Sequence, residues 1–327
     1  MARICTLACA LLLVTVWLPA LARPEESPAA ARDSLAAPRV GVIGGHAFIP
    51  SSFISDPFIR TYLQTGLGFG STINFVPPPT VINGKTLTGP KGSLMYAVMD
   101  MEFQYAIRSW LAVRGRFDVT GRMATETPTL VTQGVTLYSG FELGWLFRVA
   151  ESEQFSMSGS LGVKNSSTTD VYLQRFVEGI IENGEVLPGN KLVVATPTLR
   201  GTAGFHGAWT LSRLTGVTVE GNLDYGESLN RNESDKWYYG VSAALDFNLF
   251  SQSGVPVGFV VGGTVSSAPD LQGIDSRSAQ SIFGRIAYTG AEQFALGIDL
   301  AYHYLPIRGL DEKQNFLSAV IDIRLFF

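Results

Sequence analysis

The chain has 327 residues, a net charge of -4 and only 16% charged residues. That mildly acidic balance gives no reason to expect nucleic acid as a partner. Beyond the N-terminus no run reaches the ~18 apolar residues of a spanning helix, so a passage through a membrane would need a closed barrel.

The first residues read as a secretory signal. Arg3 supplies a positive start, Leu7 to Leu18 is mostly apolar, and Ala20-Leu21-Ala22 fits a small-x-small cleavage site. Residues 1–22 are therefore expected to be removed. Cys5 and Cys9 both lie in that stretch, so the mature chain would carry neither thiol nor disulfide. Arg23 to about Arg39 is rich in Pro, Ala, Ser and acid, the composition of a flexible linker. Val40 to Arg60 is too apolar for a free tail, and Pro50 and Pro57 break it too often for one regular element. It packs either inside a barrel or along its rim, so residues 23–60 form a linker and a possible plug.

From about Tyr62 the hydrophobic period becomes two, the period of a strand with unlike faces. Leu63, Thr65, Leu67 and Phe69 alternate with Gln64, Gly66, Gly68 and Gly70. Met95, Met99, Met101 and Phe103 alternate with Tyr96, Asp100, Glu102 and Gln104. The same alternation recurs in later segments and gives about twelve strands, an even number as single-chain bacterial barrels require. Pro197 interrupts one of them. It predicts a strand that is regular only beyond that point, or a bulge there.

The connections alternate between short and long. Ile107–Ser109, Ala150–Gln154, Leu211–Thr215, Ser251–Gly254 and Thr289–Gln293 are short; the intervening segments are longer. Asn83-Gly84 and Asn183-Gly184 each mark a tight hairpin within a long loop. Asp170 to Glu182 has the apolar spacing of a short amphipathic helix. Outward aromatics collect near strand ends, with Tyr105, Trp145, Phe147, Phe155, Trp209, Phe294 and Phe327 towards one rim. Tyr225, Trp237, Tyr239, Tyr302 and Tyr304 lie towards the other, as two interfacial belts would require.

The last segment, Asn315 to Phe327, is the most regular. Leu317, Ala319, Ile321, Ile323, Leu325 and Phe327 form an apolar row, while Asp322 and Arg324 lie on the opposite face. An apolar strand ending on a terminal Phe resembles the final strand of bacterial outer-membrane β-barrel proteins. Those proteins commonly present that residue to the barrel-assembly machinery. The resemblance is to the broad porin and channel-forming class. It implies an all-β, up-and-down antiparallel transmembrane barrel over residues 61–327. It also implies a Gram-negative outer-membrane location, outer-membrane lipids as surroundings, Phe327 as assembly signal, and passage of small solutes, polar or hydrophobic. Long-chain fatty-acid channels of that membrane also carry an N-terminal plug but have more strands than are counted here. The alternative is a non-transporting barrel for surface binding or envelope structure.

Parity assigns the lumen face to Asp100, Glu102, Asp118, Glu142, Glu220, Asp224, Asp246, Asp299 and Asp322. It assigns the same face to Arg114, Arg116, Arg148, Lys164, Arg200, Arg285 and Arg324. Acids and bases nearly balance, which argues against a strongly ion-selective ring. His206 and His303 also face inward and are expected to line the wall. No Ser-His-acid geometry is legible in the sequence, and no Cys/His metal pattern exists, so neither catalysis nor a cofactor is expected.

Overall fold

A computed structural model describes residues 41–73, 80–82, 85–87, 93–124, 135–171, 193–228, 234–267, 278–305 and 314–327. The chain divides between Ala37 and Pro38, and every described residue belongs to Pro38–Phe327. Two short strands, β1 (Val42–Ile43) and β2 (His46–Ala47), precede the long ones. Then follow β3 (Tyr62–Ile73), the small pair β4 (Thr80–Ile82) and β5 (Lys85–Leu87), β6 (Leu94–Arg108), β7 (Leu111–Ala124) and β8 (Val135–Glu151). β9 (Phe155–Val171), β10 (Val193–Thr210), β11 (Thr215–Gly226) and β12 (Lys236–Asn248) continue the series. A single helical turn, α1 (Phe250–Ser253), leads to β13 (Val257–Ser267), β14 (Ser278–Tyr288), β15 (Phe294–Leu305) and β16 (Gln314–Phe326).

The long strands, β3 and β6 to β16, form one closed antiparallel barrel, each paired with its sequence neighbour. β16 closes the ring against β3, with Leu325 opposite Leu63 and Arg324 opposite Gln64. Closure leaves no sheet edge, so every spanning residue can satisfy its backbone within the sheet. The outward rows are exposed and mostly apolar: Leu67, Phe69, Val261, Ile282, Ile286, Leu300 and Ile321 all project from the barrel. A soluble protein does not present a continuous apolar belt of this kind, whereas hydrocarbon accommodates it. Among the described residues no helix is long and apolar enough to span a membrane.

Pro197 behaves differently from the sequence expectation. β10 runs unbroken through it, with Pro197 opposite Ser167 and no shift of register. The reason lies on its other flank. β11 first pairs with β10 at Arg200, so Pro197 sits beyond the end of that neighbour, where a missing N–H breaks no ladder bond. The register shifts that do occur lie at Ala106/Arg108 and Arg148/Ala150, beside the short turns. β4 and β5 pair with Ile82 opposite Lys85, which leaves the two residues 83 and 84 between them, as a tight hairpin needs. The expected hairpin at Asn183-Gly184 and the expected helix over 170–182 fall outside the described residues, apart from the end of β9.

Residues 41–60 occupy the barrel interior at the end where the short turns and the C-terminus lie. β1 and β2 form a hairpin whose connecting Gly44 and Gly45 have φ of 57° and 80°. Two consecutive left-handed residues make a primed turn, which glycine adopts without steric cost. The chain then rises through Phe48 and Ile49, turns at Ser52 and Phe53, and descends through Ile54 and Phe58 to Tyr62. Phe48, Ile49, Ile54 and Phe58 are buried. Phe53 stacks on Phe283 in the middle of β14, with ring centroids 5.2 Å apart.

Candidate functional site

Among the described residues the lumen gathers the charged side chains, and most of them fall into three sets. The first holds the plug. Asp246, near the end of β12, accepts the Ile49 N–H at 2.5 Å through one oxygen and lies 3.1 Å from His46 Nε2 through the other. Asp299 on β15 accepts from the Ser51 and Ser52 hydroxyls at 3.2 and 2.8 Å. Glu220 on β11 accepts the Ser55 N–H at 2.8 Å, and Arg114 on β7 donates to the Ser55 hydroxyl at 2.7 Å. Gln104 on β6 donates to the carbonyls of Phe58 and Arg60, both at 2.8 Å. Asn248 and Ser158 bind the carbonyls of Ala47 and Pro57. A segment with no ladder of its own thus satisfies its backbone on the wall, as buried polar groups must.

Asp56 is the plug's own contribution to this set. Its carboxylate lies 2.5 Å from Arg60 Nη2 and 2.7 Å from Arg324 Nη1. Burial pushes its pKa up, but the guanidiniums of Arg60 and Arg324 outweigh this and hold it below the ordinary aspartate value. Arg324 also donates to Gln64 at 2.7 Å and lies over the Tyr62 ring at 4.2 Å. Arg60 lies over the Phe326 ring at 4.7 Å, which ties the base of the plug to the closing strand.

The second set cross-links the wall itself. Arg285 on β14 reaches Asp299 on β15 and Asp322 on β16, each at 2.5 Å, and all three side chains are buried. The arginine crosses β15 to do so. Gly297 lies directly opposite Asp322, and a Cβ there would stand 2.4 Å from the Arg285 guanidinium carbon. Glu102 pairs with Arg114 at 3.4 Å and also accepts the Tyr62 hydroxyl.

The third set is held less closely. Above the plug tip lies a cavity of about 370 Å³, and Asp100, Asp118, Glu142, Arg116 and Lys164 line it. Among the described residues none of these five makes a side-chain hydrogen bond or an ion pair within 4.0 Å. Arg116, Glu142 and Lys164 lie side by side across β7, β8 and β9, on a rung that continues to Glu102 on β6 and Arg200 on β10. Asp100 and Asp118 are opposite each other one step further along, and each leans away over a glycine, Gly66 and Gly140.

His206 also borders the cavity. Its Nε2 lies 3.1 Å from the Ser160 hydroxyl, and its Nδ1 lies 3.8 Å from Glu220 Oε1. The order Ser, His, acid is that of a hydrolase, but 3.8 Å exceeds a hydrogen bond. Ser160 also lies within a fully paired strand whose N–H groups serve the ladder, so among the described residues its own strand offers no backbone oxyanion donor. His303 bridges the hydroxyls of Ser281 and Ser318 at 2.8 and 2.9 Å, a structural arrangement.

The remaining candidates lie elsewhere on the wall. Arg148 bonds to Glu151 at the rim beside the short turn. Arg200 donates to the Glu227 carbonyl at 2.9 Å and lies over the Tyr238 ring at 3.7 Å, towards the opposite end. Asp224 is buried on β11, opposite Thr202 and Tyr238. Phe327 is exposed at the rim, and its N–H donates to the Thr61 carbonyl at 3.1 Å.

One sector escaped the parity reading, which followed charge. Ala244, Val260, Phe283, Ala287 and Ala301 make the inner face of β12 to β15 apolar, and Ile49, Phe53 and Ile54 of the plug pack there. Gly258 lets Ile49 lie flat against the sheet, since a Cβ at that position would stand 2.1 Å from Ile49 Cδ1. The signal was the run of glycine and aliphatic residues at inward positions of β13.

No protein-family model and no curated protein matches the chain. Solved structures do. A FadL homologue of Pseudomonas aeruginosa is similar with a TM-score of 0.50 at 8% identity, over 87% of this chain and 96% of that one. The transport unit of the autotransporter AIDA-I of Escherichia coli is similar with a TM-score of 0.46 at 8% identity, over 82% and 90%. The toluene transporter TodX of Pseudomonas putida is similar with a TM-score of 0.41 at 10% identity, over 89% and 97%. The chain is in fold a bacterial outer-membrane β-barrel.

Proposed function

We propose that the protein is an outer-membrane channel for small solutes in a Gram-negative envelope, reached through a cleaved signal peptide, with residues 41–60 as its internal plug. The observation that carries this reading is the cavity above the plug tip, lined by charges of both signs that make no hydrogen bond or close ion pair among the described residues. A barrel built only to seal or to scaffold gains nothing from solvated charge at its centre, since unpaired charge in a partly buried place is costly. Twelve strands lie between the small barrels filled by side chains and the wide porins, so a narrow passage suits the diameter. The plug fills the end of the lumen below the cavity, so transport requires it to shift.

The second reading is a non-transporting barrel, and the plug favours it. Its bonds to β6, β7, β9, β10, β11, β12, β15 and β16 make a seal of wide footing. Conductance in a planar bilayer separates the two. Single-channel steps are expected from the purified protein, and larger ones from a variant lacking residues 41–58. Silence from both proteins, each shown to be folded by heat-modifiable migration, rejects the channel.

A further inference from the structure

Most charges of the lumen are engaged by the plug or by one another, whereas those lining the cavity make no hydrogen bond or close ion pair among the described residues, and there they are arranged by sign. Arg116, Glu142 and Lys164 share one rung, so a base, an acid and a base stand side by side with Cβ atoms about 5 Å apart. Asp100 and Asp118 lie one step beyond them, towards the long connections. Beside Asp100 the lining changes character. Val98 and Val320 flank the bare backbone of Gly68 on β3, and Phe53 rises from the plug below them. The cavity therefore carries charge of both signs with an apolar patch of Val98, Val320 and Phe53 beside it.

Each solute class meets this arrangement differently. A lone anion would satisfy Arg116 or Lys164 and oppose Glu142 beside them. A lone cation would do the reverse. A neutral polyol would leave both signs without a counter-charge. A molecule with a carboxylate and an ammonium a few ångströms apart can serve neighbouring positions of the rung together, with its apolar body towards Val98, Val320 and Phe53. A volume of about 370 Å³ is within the range of small-molecule sites. We propose that this cavity is the solute-binding site of the barrel and that it selects small zwitterions with an apolar body, the chemistry of an aliphatic α-amino acid. Asp100 and Asp118 admit the ammonium end first, Glu142 receives it, and Arg116 and Lys164 receive the carboxylate.

This inference rests on the reading of the barrel as a channel, but its test does not need conduction. The full chain in detergent is titrated by calorimetry with leucine and with its two singly charged halves, 4-methylpentanoate and 3-methylbutylamine. Leucine is expected to bind, and each half to bind at least about tenfold more weakly, the loss of one charge-assisted contact. Glu142→Gln and Arg116→Gln are each expected to weaken leucine by a similar factor while heat-modifiable migration stays unchanged. If either variant does not fold, the comparison of leucine with its halves on the unaltered protein decides alone. Equal binding of the three probes, no leucine binding, or unaltered binding in folded variants overturns the proposal. Absent binding with intact single-channel steps removes the site and leaves the channel. Binding without steps keeps the site and removes the channel.

Discussion

Arg285 holds its place because position 297 has no side chain. Its guanidinium spans β15 to join Asp299 and Asp322, and only a glycine at 297 leaves that path open. Replacing it, as in Gly297→Val, forces the arginine away and strands two buried carboxylates. Breaking a buried pair in this way costs about 3–5 kcal/mol, so the urea midpoint for unfolding from lipid vesicles should fall sharply. Asp56 makes a different prediction, about pH. Its folded pKa is held below the ordinary value of 3.8 by Arg60 and Arg324, against the upward push of burial. A lowered carboxylate pKa contributes stability that is complete above the unfolded value and is lost as pH falls through the folded one. The plug's base should therefore resist proteolysis of residues 41–60 at pH 5. Protection should fail only below about pH 4, and Asp56→Asn should abolish this acid transition. Ser160, His206 and Glu220 carry a third expectation. With no hydrogen bond from Nδ1 and no oxyanion donor on the strand of Ser160, purified protein should hydrolyse neither phospholipids nor soluble esters. Hydrolysis that disappears in Ser160→Ala would contradict the assignment of His206 to the wall.

At the scale of elements, the plug is anchored around most of the ring and merely packed along one sector. Its polar bonds go to β6, β7, β9, β10, β11, β12, β15 and β16, whereas β13 and β14 offer Val260, Phe283 and Ala287. Asp246 is the anchor nearest this apolar seam, and it alone receives both the Ile49 N–H and His46. Asp246→Ala should free that edge, and its channels should open more often than those of the unaltered protein in the same bilayer. A lack of change in open probability would mean that Asp246 does not gate the lumen. The strands were legible because lipid and lumen impose opposite chemistry on alternate residues, a pattern written locally. The plug's path was not. Its partners lie 197 residues away for Ile49 and 165 for Ser55, and no period links them. Asp246, Asp299 and Glu220, which hold the plug, have the same parity as Asp100 and Glu142, which face open space. Only the third dimension separates an anchor from a site. Pro197 shows the converse, a local rule relaxed because the neighbouring strand ends at Arg200.

For the whole molecule, a closed barrel turns one position along a strand into the difference between two solvents. Ile321 and Val320 are consecutive in β16, and the sheet sends the first outward and the second into the cavity. They also lie near the middle of the strand that closes the ring against β3, where Ile321 faces Leu67 and Val320 faces Gly68. Ile321→Arg places a cation in hydrocarbon close to the bilayer centre, a cost of about 2–4 kcal/mol, and its folded fraction in lipid vesicles should drop. Val320→Arg places the same group beside water and the Asp100 and Asp118 carboxylates. That protein should fold as well as the unaltered one, and its reversal potential in a salt gradient should move towards anions. Similar folding losses in the two variants would mean that the two faces of β16 do not differ in solvent. Opposite outcomes from neighbouring residues require a lipid-facing row and a hydrated lumen in the same strand.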